Sequence, residues 1–285
     1  MIDLHTHTTA SDGRLSPVDL VARASAAGVT VLSVTDHDTL ASCGAAAAAC
    51  ASAGIDFVTG IEVTAVDVVQ GGDVHVLGYF VDQGSQPLQA FLVAQRQLRA
   101  ARVRAIVDRL AALGLVLDAD TVLRPSVEDP SRAPGRPWVA RALVAAGHVS
   151  TTGEAFDRWI ARGRPAFVPR TGASPAEVIR YLHDAGGIAS LAHPVLVGPQ
   201  AVADKAAWIA SLAASGLDAI EAFHSEQDAV ATKRYLALAM GLGIQVSGGS
   251  DFHGDPQHGP AAPGAVSLPP EQFDRLKSRW QSGQN

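Results

Sequence analysis

The 285-residue sequence is poor in cysteine and lysine and has no basic excess. Its two cysteines, Cys43 and Cys50, lie in the small-residue run CGAAAAACASAG, on one face of an expected helix. That placement reads as two small buried thiols and argues against a disulfide framework or a zinc knuckle. The same run is too short and too weakly hydrophobic to span a bilayer. Asp3 and His5 interrupt the first apolar run and no cationic segment precedes it, so no secretory leader is expected. The chain is read as cytoplasmic, without membrane association and without an obligatory protein partner. A net charge of −6 argues against an extended basic surface for nucleic acid. A small anionic substrate remains compatible with that charge if metal ions supply local positive charge.

What the sequence does have is histidine in telling places. The chain opens MIDLHTHTTASDG, and on a strand His5 and His7 share a face while Ile2 and Leu4 share the other. Taken alone, that pair is as well explained by a solvent-facing strand as by a metal chelate. Strands are expected near 2–7, 30–34, 56–59, 74–80, 188–192, 218–223 and 244–248. Helices between them start at Ser16-Pro17 with Asp19 and at Ser174-Pro175 with Glu177, and stop at Gly28 and at Gly186-Gly187. The alternation predicts an α/β fold, a parallel sheet closed into a barrel related to the (β/α)₈ type. It fails across 86–165, where a long helix over 86–114, a Pro-rich stretch and two short helices near 138–146 and 152–161 read as a helical insertion. The expected barrel is therefore 1–85 plus 166–285, with 86–165 as a cap.

Histidines and carboxylates recur at the ends of these strands: His37 in TDHD, Glu62 after IDFVTG, His75 in DVHVLGYF, His193 after GIASLA, His224 after LDAIEAF, and Asp251 and His253 in SDFHG. In a parallel barrel such ends converge on one rim. Gathering carboxylates and imidazoles there without cations is costly. Nine donors result: His5, His7, Asp12, His37, Glu62, His75, His193, Asp251 and His253. Nine donors including a carboxylate able to bridge suit two or three divalent ions, and mixed imidazole and carboxylate points to zinc, manganese or iron.

These motifs (HTH at 5–7 with Asp12, TDHD at 35–38, GIEV at 60–63, HVLGY at 75–79, AHP at 192–194, GGSDFHG at 248–254) closely resemble the polymerase and histidinol phosphatase (PHP) family of metal-dependent phosphoesterases. The resemblance implies a distorted seven-stranded (β/α)₇ barrel with a trinuclear site. It implies one ion on His5, His7, Glu62 and Asp251, a second on Asp12, His37 and His253, and a third on Glu62, His75 and His193. Chain length and the insertion resemble the branch that hydrolyses nucleoside 3′,5′-bisphosphates, some members of which degrade short RNA from the 5′ end. One departure is Trp138, where many relatives carry histidine.

The reaction expected is hydrolysis of a phosphate monoester, most simply of a nucleoside 3′,5′-bisphosphate, by metal-activated hydroxide. Asp251, His193 and His224 are the residues expected to carry the chemistry, His224 as proton donor to the leaving group. Arg136, Arg99 and Arg170 are expected to hold a second phosphate, with Arg136 foremost. The alternatives are a 5′–3′ exoribonuclease acting on short RNA ends, a cyclic phosphodiesterase, a histidinol-phosphate phosphatase, a non-catalytic metal-binding PHP module, and a metal-dependent amidohydrolase. The amidohydrolase reading is weakened because the only lysines, Lys205, Lys233 and Lys277, fall on expected helices and none on a mid-chain strand. His148, His183 and His258 are expected to be plain surface residues, and Trp159 and Trp208 packing groups.

Overall fold

A computed structural model describes residues 1–69, 72–255 and 259–283; His258 lies outside them. The chain runs β1 (Ile2–Asp3), α1 (Pro17–Ala26), β2 (Val31–Val34), α2 (Cys43–Ala53), β3 (Asp56–Asp67), β4 (Gly72–Tyr79), α3 (Gln86–Ala112), α4 (Ala119–Glu128), α5 (Arg136–Ala145), α6 (Thr152–Ala155), a π-helical turn (Phe156–Ile160), α7 (Pro175–Asp184), β5 (Ile188–Leu191), α8 (Val202–Ala214), β6 (Ala219–Phe223), α9 (Ala229–Leu242), β7 (Gln245–Gly248) and α10 (Pro270–Ser282). The seven strands pair in sequence order. Backbone bonds past the strand ends nearly close them into a barrel: Leu4 N donates to Gly248 O at 3.2 Å, Asp251 N to His5 O at 2.8 Å and His7 N to Phe252 O at 2.9 Å. The fold is a distorted α/β barrel.

The sheet is not wholly parallel, as the alternation had suggested. β4 runs antiparallel to both β3 and β5. β3 is also far longer than the expected 56–59, because eight of its residues, Gly60–Asp67, pair with β4 as a two-stranded ribbon. Conversely β1 is shorter than 2–7: its ladder ends at Asp3, and only the Thr6–Phe252 bridge continues it.

Local chemistry explains the helix limits. Ser16 Oγ caps α1 by accepting the Asp19 amide, with Pro17 in the first turn. Ser174 and Glu177 form a reciprocal capping box on α7. α4 was missed in the Pro-rich stretch; Asp118 caps it by accepting the Asp120 and Thr121 amides, and Pro125 sits inside it. Cys43 and Cys50 are both buried, and desolvation pushes their thiols up to about 12 and about 11. They serve as packing groups, and so does Trp208, buried in the core.

The apolar interior is divided. One cluster lies between the sheet and α7, α8 and α9, including Ile61, Leu92, Leu182, Ile209 and Ile220. A separate cluster joins α3, α4, α5 and the π-turn through Ile106, Leu110, Leu123, Leu143 and Ile160. Among the described residues no helix is long and apolar enough to cross a membrane.

Asp218, just before β6, fastens the face of the barrel opposite the histidine cluster. It accepts from His183 Nε2 at 2.7 Å, Ala189 N at 3.0 Å and Arg279 Nε at 3.0 Å. Burial alone would raise its carboxyl, but these bonds hold it below its ordinary value. His183, read from sequence as a plain surface residue, is therefore part of a three-way fastening. Asp218→Asn should cost about 2 kcal/mol in urea unfolding at pH 7. Because the folded pKa is depressed, the stability it contributes is complete above the unfolded carboxyl pKa of about 4 and lost as pH falls through the folded value. The gap between wild type and variant should therefore close below about pH 4.

Candidate metal centre

His5 and His7 leave β1 on a backbone stitched to both sides. Thr6 Oγ1 donates to Ser33 O at 2.8 Å, and the bonds to Phe252 and from Asp251 hold the other edge. With Thr6 pointing into the β2 side, both imidazoles turn inward, their centroids 5.2 Å apart. Gly249 permits this, since a Cβ there would sit 2.3 Å from His5 N. Behind the pair, Asp3 is buried and accepts the Ser250 and Gly264 amides at 2.9 and 2.7 Å. Asp36 similarly gathers the Thr8, Ser11 and Ser42 hydroxyls.

All nine expected donors converge. Glu62, fully inside the barrel on β3, is the hub. Its Oε2 lies 3.6 Å from His5 Nε2, 3.4 Å from His7 Nε2 and 2.8 Å from His37 Nδ1; its Oε1 lies 2.8 Å from His75 Nδ1 and 3.0 Å from His193 Nε2. Asp12 meets His37 Nε2 at 3.5 Å and His253 Nε2 at 3.3 Å. Asp251 meets His5 Nε2 at 3.3 Å and His7 Nε2 at 3.1 Å. His75 does not arrive from the C-terminal end of a parallel strand. It reaches the cluster because β4 runs backwards, opposite Thr64 and on the same face as Glu62. His193 (φ 27°) and Asp251 (φ 57°) both occupy the left-handed region, as does Asp38 (φ 50°) beside His37. Such backbone strain gathers where a site dictates side-chain direction.

The charge balance has one clear cause. Burial would raise Glu62, Asp12 and Asp251, yet surrounding imidazoles hold all three well below the ordinary carboxylate range. Burial drives His37 down to about 4, so its ring is neutral. Burial also opposes charge on His253, but Asp12 and Asp251 lift it to about 10. His5 is likewise held well above its ordinary value, against burial, by Glu221, Asp251 and Glu62.

Sequence reasoning missed Glu221. This buried residue of β6 accepts from His5 Nδ1 at 2.9 Å through Oε1 and from the His193 amide at 2.7 Å through Oε2. It thereby turns His5 Nε2 toward the centre and fixes the residue that carries another donor. The signal was the second acid of LDAIEAF, set between Ile220 and Ala222 and three residues before His224. Glu221→Gln leaves one of these two donors unpaired, and metal affinity measured by chelator competition should fall about 10- to 100-fold.

The donor chemistry fits divalent ions. His5 Nε2, both nitrogens of His7, His37 Nδ1 and Glu62 Oε2 are buried close together yet make no aligned hydrogen bond, even where His37 and Glu62 approach to 2.8 Å. Among the described residues four groups of imidazole and carboxylate atoms are compact enough to hold an ion: His7, Asp12, His37 and His253; His5, His7 and Asp251; His5, Glu221 and His224; His37, Glu62 and His75. Orphaned donors at this density in a dry interior are costly unless cations join them.

The expected substrate residues have diverse surroundings. Arg99 is buried and committed to Asp38 and to Thr64 Oγ1. Arg170 lies 3.5 Å from Asp73; burial, then neighbouring Arg99, push it down to about 9. Arg136 borders a cavity of about 320 Å³ with Asp73 and Arg162, and hydrogen-bonds no carboxylate among the described residues. His224 accepts the Glu226 amide at Nδ1 and approaches Asp251 with Nε2 at 3.4 Å. Trp138 is buried and donates from Nε1 to Ser11 O at 2.8 Å, tying α5 to the loop that carries Asp12. The lysines stand outside the cluster: Lys205 donates to the Val197 carbonyl at 2.9 Å, and Lys233 and Lys277 are exposed on α9 and α10. None of the three places a bridging lysine among the donors.

Comparison with known proteins agrees with this geometry. The PHP domain matches residues 3–115. A 5′-3′ exoribonuclease of Haemophilus influenzae is 36% identical over 88% of this chain and 89% of its own. The chain belongs to the PHP family. Another relative, a 3′,5′-nucleoside bisphosphate phosphatase of Chromobacterium violaceum, is 31% identical over 94% of this chain and 93% of its own. A Bifidobacterium adolescentis structure described as a metal-dependent phosphoesterase superposes with a TM-score of 0.85, at 29% identity, over 97% of this chain and 95% of that one. The reaction class of this PHP protein is metal-dependent hydrolysis of phosphoesters.

Proposed function

We propose that this PHP protein removes a phosphate from a nucleoside 3′,5′-bisphosphate, using two or three divalent ions. The supporting observation is the pairing of two anion-seeking chambers. A cavity of about 390 Å³ opens onto the donors Asp12, Asp251 and His253, and the cavity bordered by Arg136 and Arg162 adjoins it at Leu196. One phosphate at each matches a bisphosphate better than a simple monoester.

His5, His7, Glu62 and Asp251 would hold one ion, Asp12, His37 and His253 a second, and Glu62, His75 and His193 a third, with manganese, zinc or iron all suited to these donors. Bound ions supply Lewis acidity, which lowers the proton affinity of water and offsets charge on the phosphoryl oxygens. The protein does the rest. Glu221 aims His5, and Asp251 and His193 are held at strained backbone positions that fix their direction. His224 carries its proton on Nε2, because Nδ1 accepts the Glu226 amide, and it lines the cavity as proton donor to the leaving oxygen. Arg136 anchors the far phosphate, with Arg99 and Arg170 held behind it by Asp38 and Asp73 to set the positive field. The helices of 86–165 act as a cap that presents Arg136.

A second reading, 5′–3′ cleavage of short RNA ends, draws support from the resemblance to the Haemophilus exoribonuclease. Phosphate and nucleotide release should be measured with added manganese over nucleoside mono- and bisphosphates, cyclic phosphates and short oligoribonucleotides. The bisphosphate should give the highest kcat/KM. A higher value for monophosphates or cyclic esters would overturn this reading.

A further inference from the structure

Two apolar groups at the mouth of the donor cavity have no part in holding ions or phosphate. Phe156 begins the π-helical turn that follows α6 and is only partly buried against the helical cluster. Leu196 lies three residues beyond His193 and is 55% exposed. Both line the 390 Å³ cavity, with Pro137 beside them. They come from different parts of the chain, Phe156 from the inserted helices and Leu196 from the loop after β5.

Each is held in place. The Leu196 amide donates to His193 O at 2.9 Å, and Lys205 Nζ reaches from α8 to the Val197 carbonyl at 2.9 Å and to the Pro194 carbonyl, clamping the loop on both sides of Leu196. The Phe156 ring has the Arg136 guanidinium over it, 5.6 Å from the centroid. A π-turn is unusual backbone that recurs at functional sites, and here it sets the position of that ring. Holding an exposed leucine and a partly exposed phenylalanine around an otherwise charged mouth leaves apolar area in water that a flat apolar ligand would cover.

We propose that this cavity is a nucleobase slot, in which Phe156 offers a stacking face and Leu196 an opposing apolar wall. This rests on the nucleotide reading given above. Every base has a π face, so stacking binds without regard to base identity. Besides the donors and His224, the cavity is lined by the polar side chains of Arg141, Thr152, Ser225, Glu226 and Asp255, while the two walls themselves carry no hydrogen-bonding side chain and so do not discriminate purine from pyrimidine.

The test compares an ester that carries a base with one that does not. Phe156→Leu keeps packing bulk and removes the aromatic face, Phe156→Tyr restores it, and Leu196→Ser alters an exposed position that folding tolerates. For Phe156→Leu, the ratio of KM for adenosine 3′,5′-bisphosphate to KM for propane-1,3-diol bisphosphate, which carries both phosphates and no base, should rise about 5- to 100-fold, with Phe156→Tyr restoring most of it. Leu196→Ser should move the ratio the same way by a smaller factor. A direct reading comes from calorimetry on chelator-stripped protein, which cannot turn over. AMP should bind wild type more tightly than inorganic phosphate does, and Phe156→Leu should erase that difference. An unchanged KM ratio, or equal binding of AMP and phosphate by wild type, would overturn the slot. If wild type hydrolyses propane-1,3-diol bisphosphate but no nucleotide at all, the nucleotide reading itself has failed.

Discussion

Glu62→Ala protein should lose about 10³-fold or more of its kcat toward any phosphoester, while its far-UV circular dichroism stays that of wild type. Glu62 is the one carboxylate whose two oxygens together approach five imidazoles, those of His5, His7, His37, His75 and His193. Removing it deletes the negative centre shared by the donor sets and leaves the five imidazoles facing one another without it. The barrel has little reason to unfold, because Glu62 makes its backbone pairing with Asp36 and Leu77 whatever its side chain. Glu62→Gln is the sharper control, since it preserves shape and removes charge, and it should be nearly as inactive. Metal content by mass spectrometry should fall in both. Wild-type turnover in metal-replete Glu62→Ala protein would refute the bridging role.

The second large effect is that of stripping the metal. A chelator should abolish hydrolysis, and manganese, zinc or iron should restore it. The thermal midpoint should fall by about 8–16 °C if the ions had been present at roughly a thousandfold their dissociation constants, a stabilisation of about 4 kcal/mol. The pH dependence has a definite sign. His5 is held above its ordinary pKa, and His253 is lifted to about 10, so without ions both rings carry protons at neutral pH. An entering cation must displace them, so uptake releases protons and affinity weakens as pH falls. His37, pushed down to about 4, is neutral throughout the working range and contributes no such release. Proton release measured by calorimetry in buffers of different ionisation enthalpy checks this, and the absence of release would contradict it.

Much of this centre was legible in the sequence for a physical reason. The period-two placement of His5 and His7, and the regular arrival of His37, Glu62, His193 and Asp251 near strand ends, are local patterns that a barrel converts directly into proximity. The direction of β4 was not legible. DVHVLGYF has the composition of a buried strand in either sense, and only its ladder with Gly60–Asp67 reverses it. Helix α4 was hidden by Pro125 and the proline-rich segment after it, although Asp118 gave a valid start signal. Glu221 escaped because an isolated acid among apolar residues has no periodic signature; its importance comes from His5, 216 positions away. Arg99 shows the opposite limit. It was expected to hold a second phosphate, but nothing local in the sequence reveals that Asp38 claims its guanidinium.

The reversed ribbon also joins two otherwise separate properties. His75 and Asp73 are alternate residues of one strand, the first beside Glu62 and the second steadying Arg102 and Arg170. A substitution at Asp73 that retunes those arginines acts two residues from the His75 nitrogen that meets Glu62. Selection for a new ester therefore pulls on cation retention through a shared lever, and variants with altered substrate range should commonly need a compensating change elsewhere in β3 or β4.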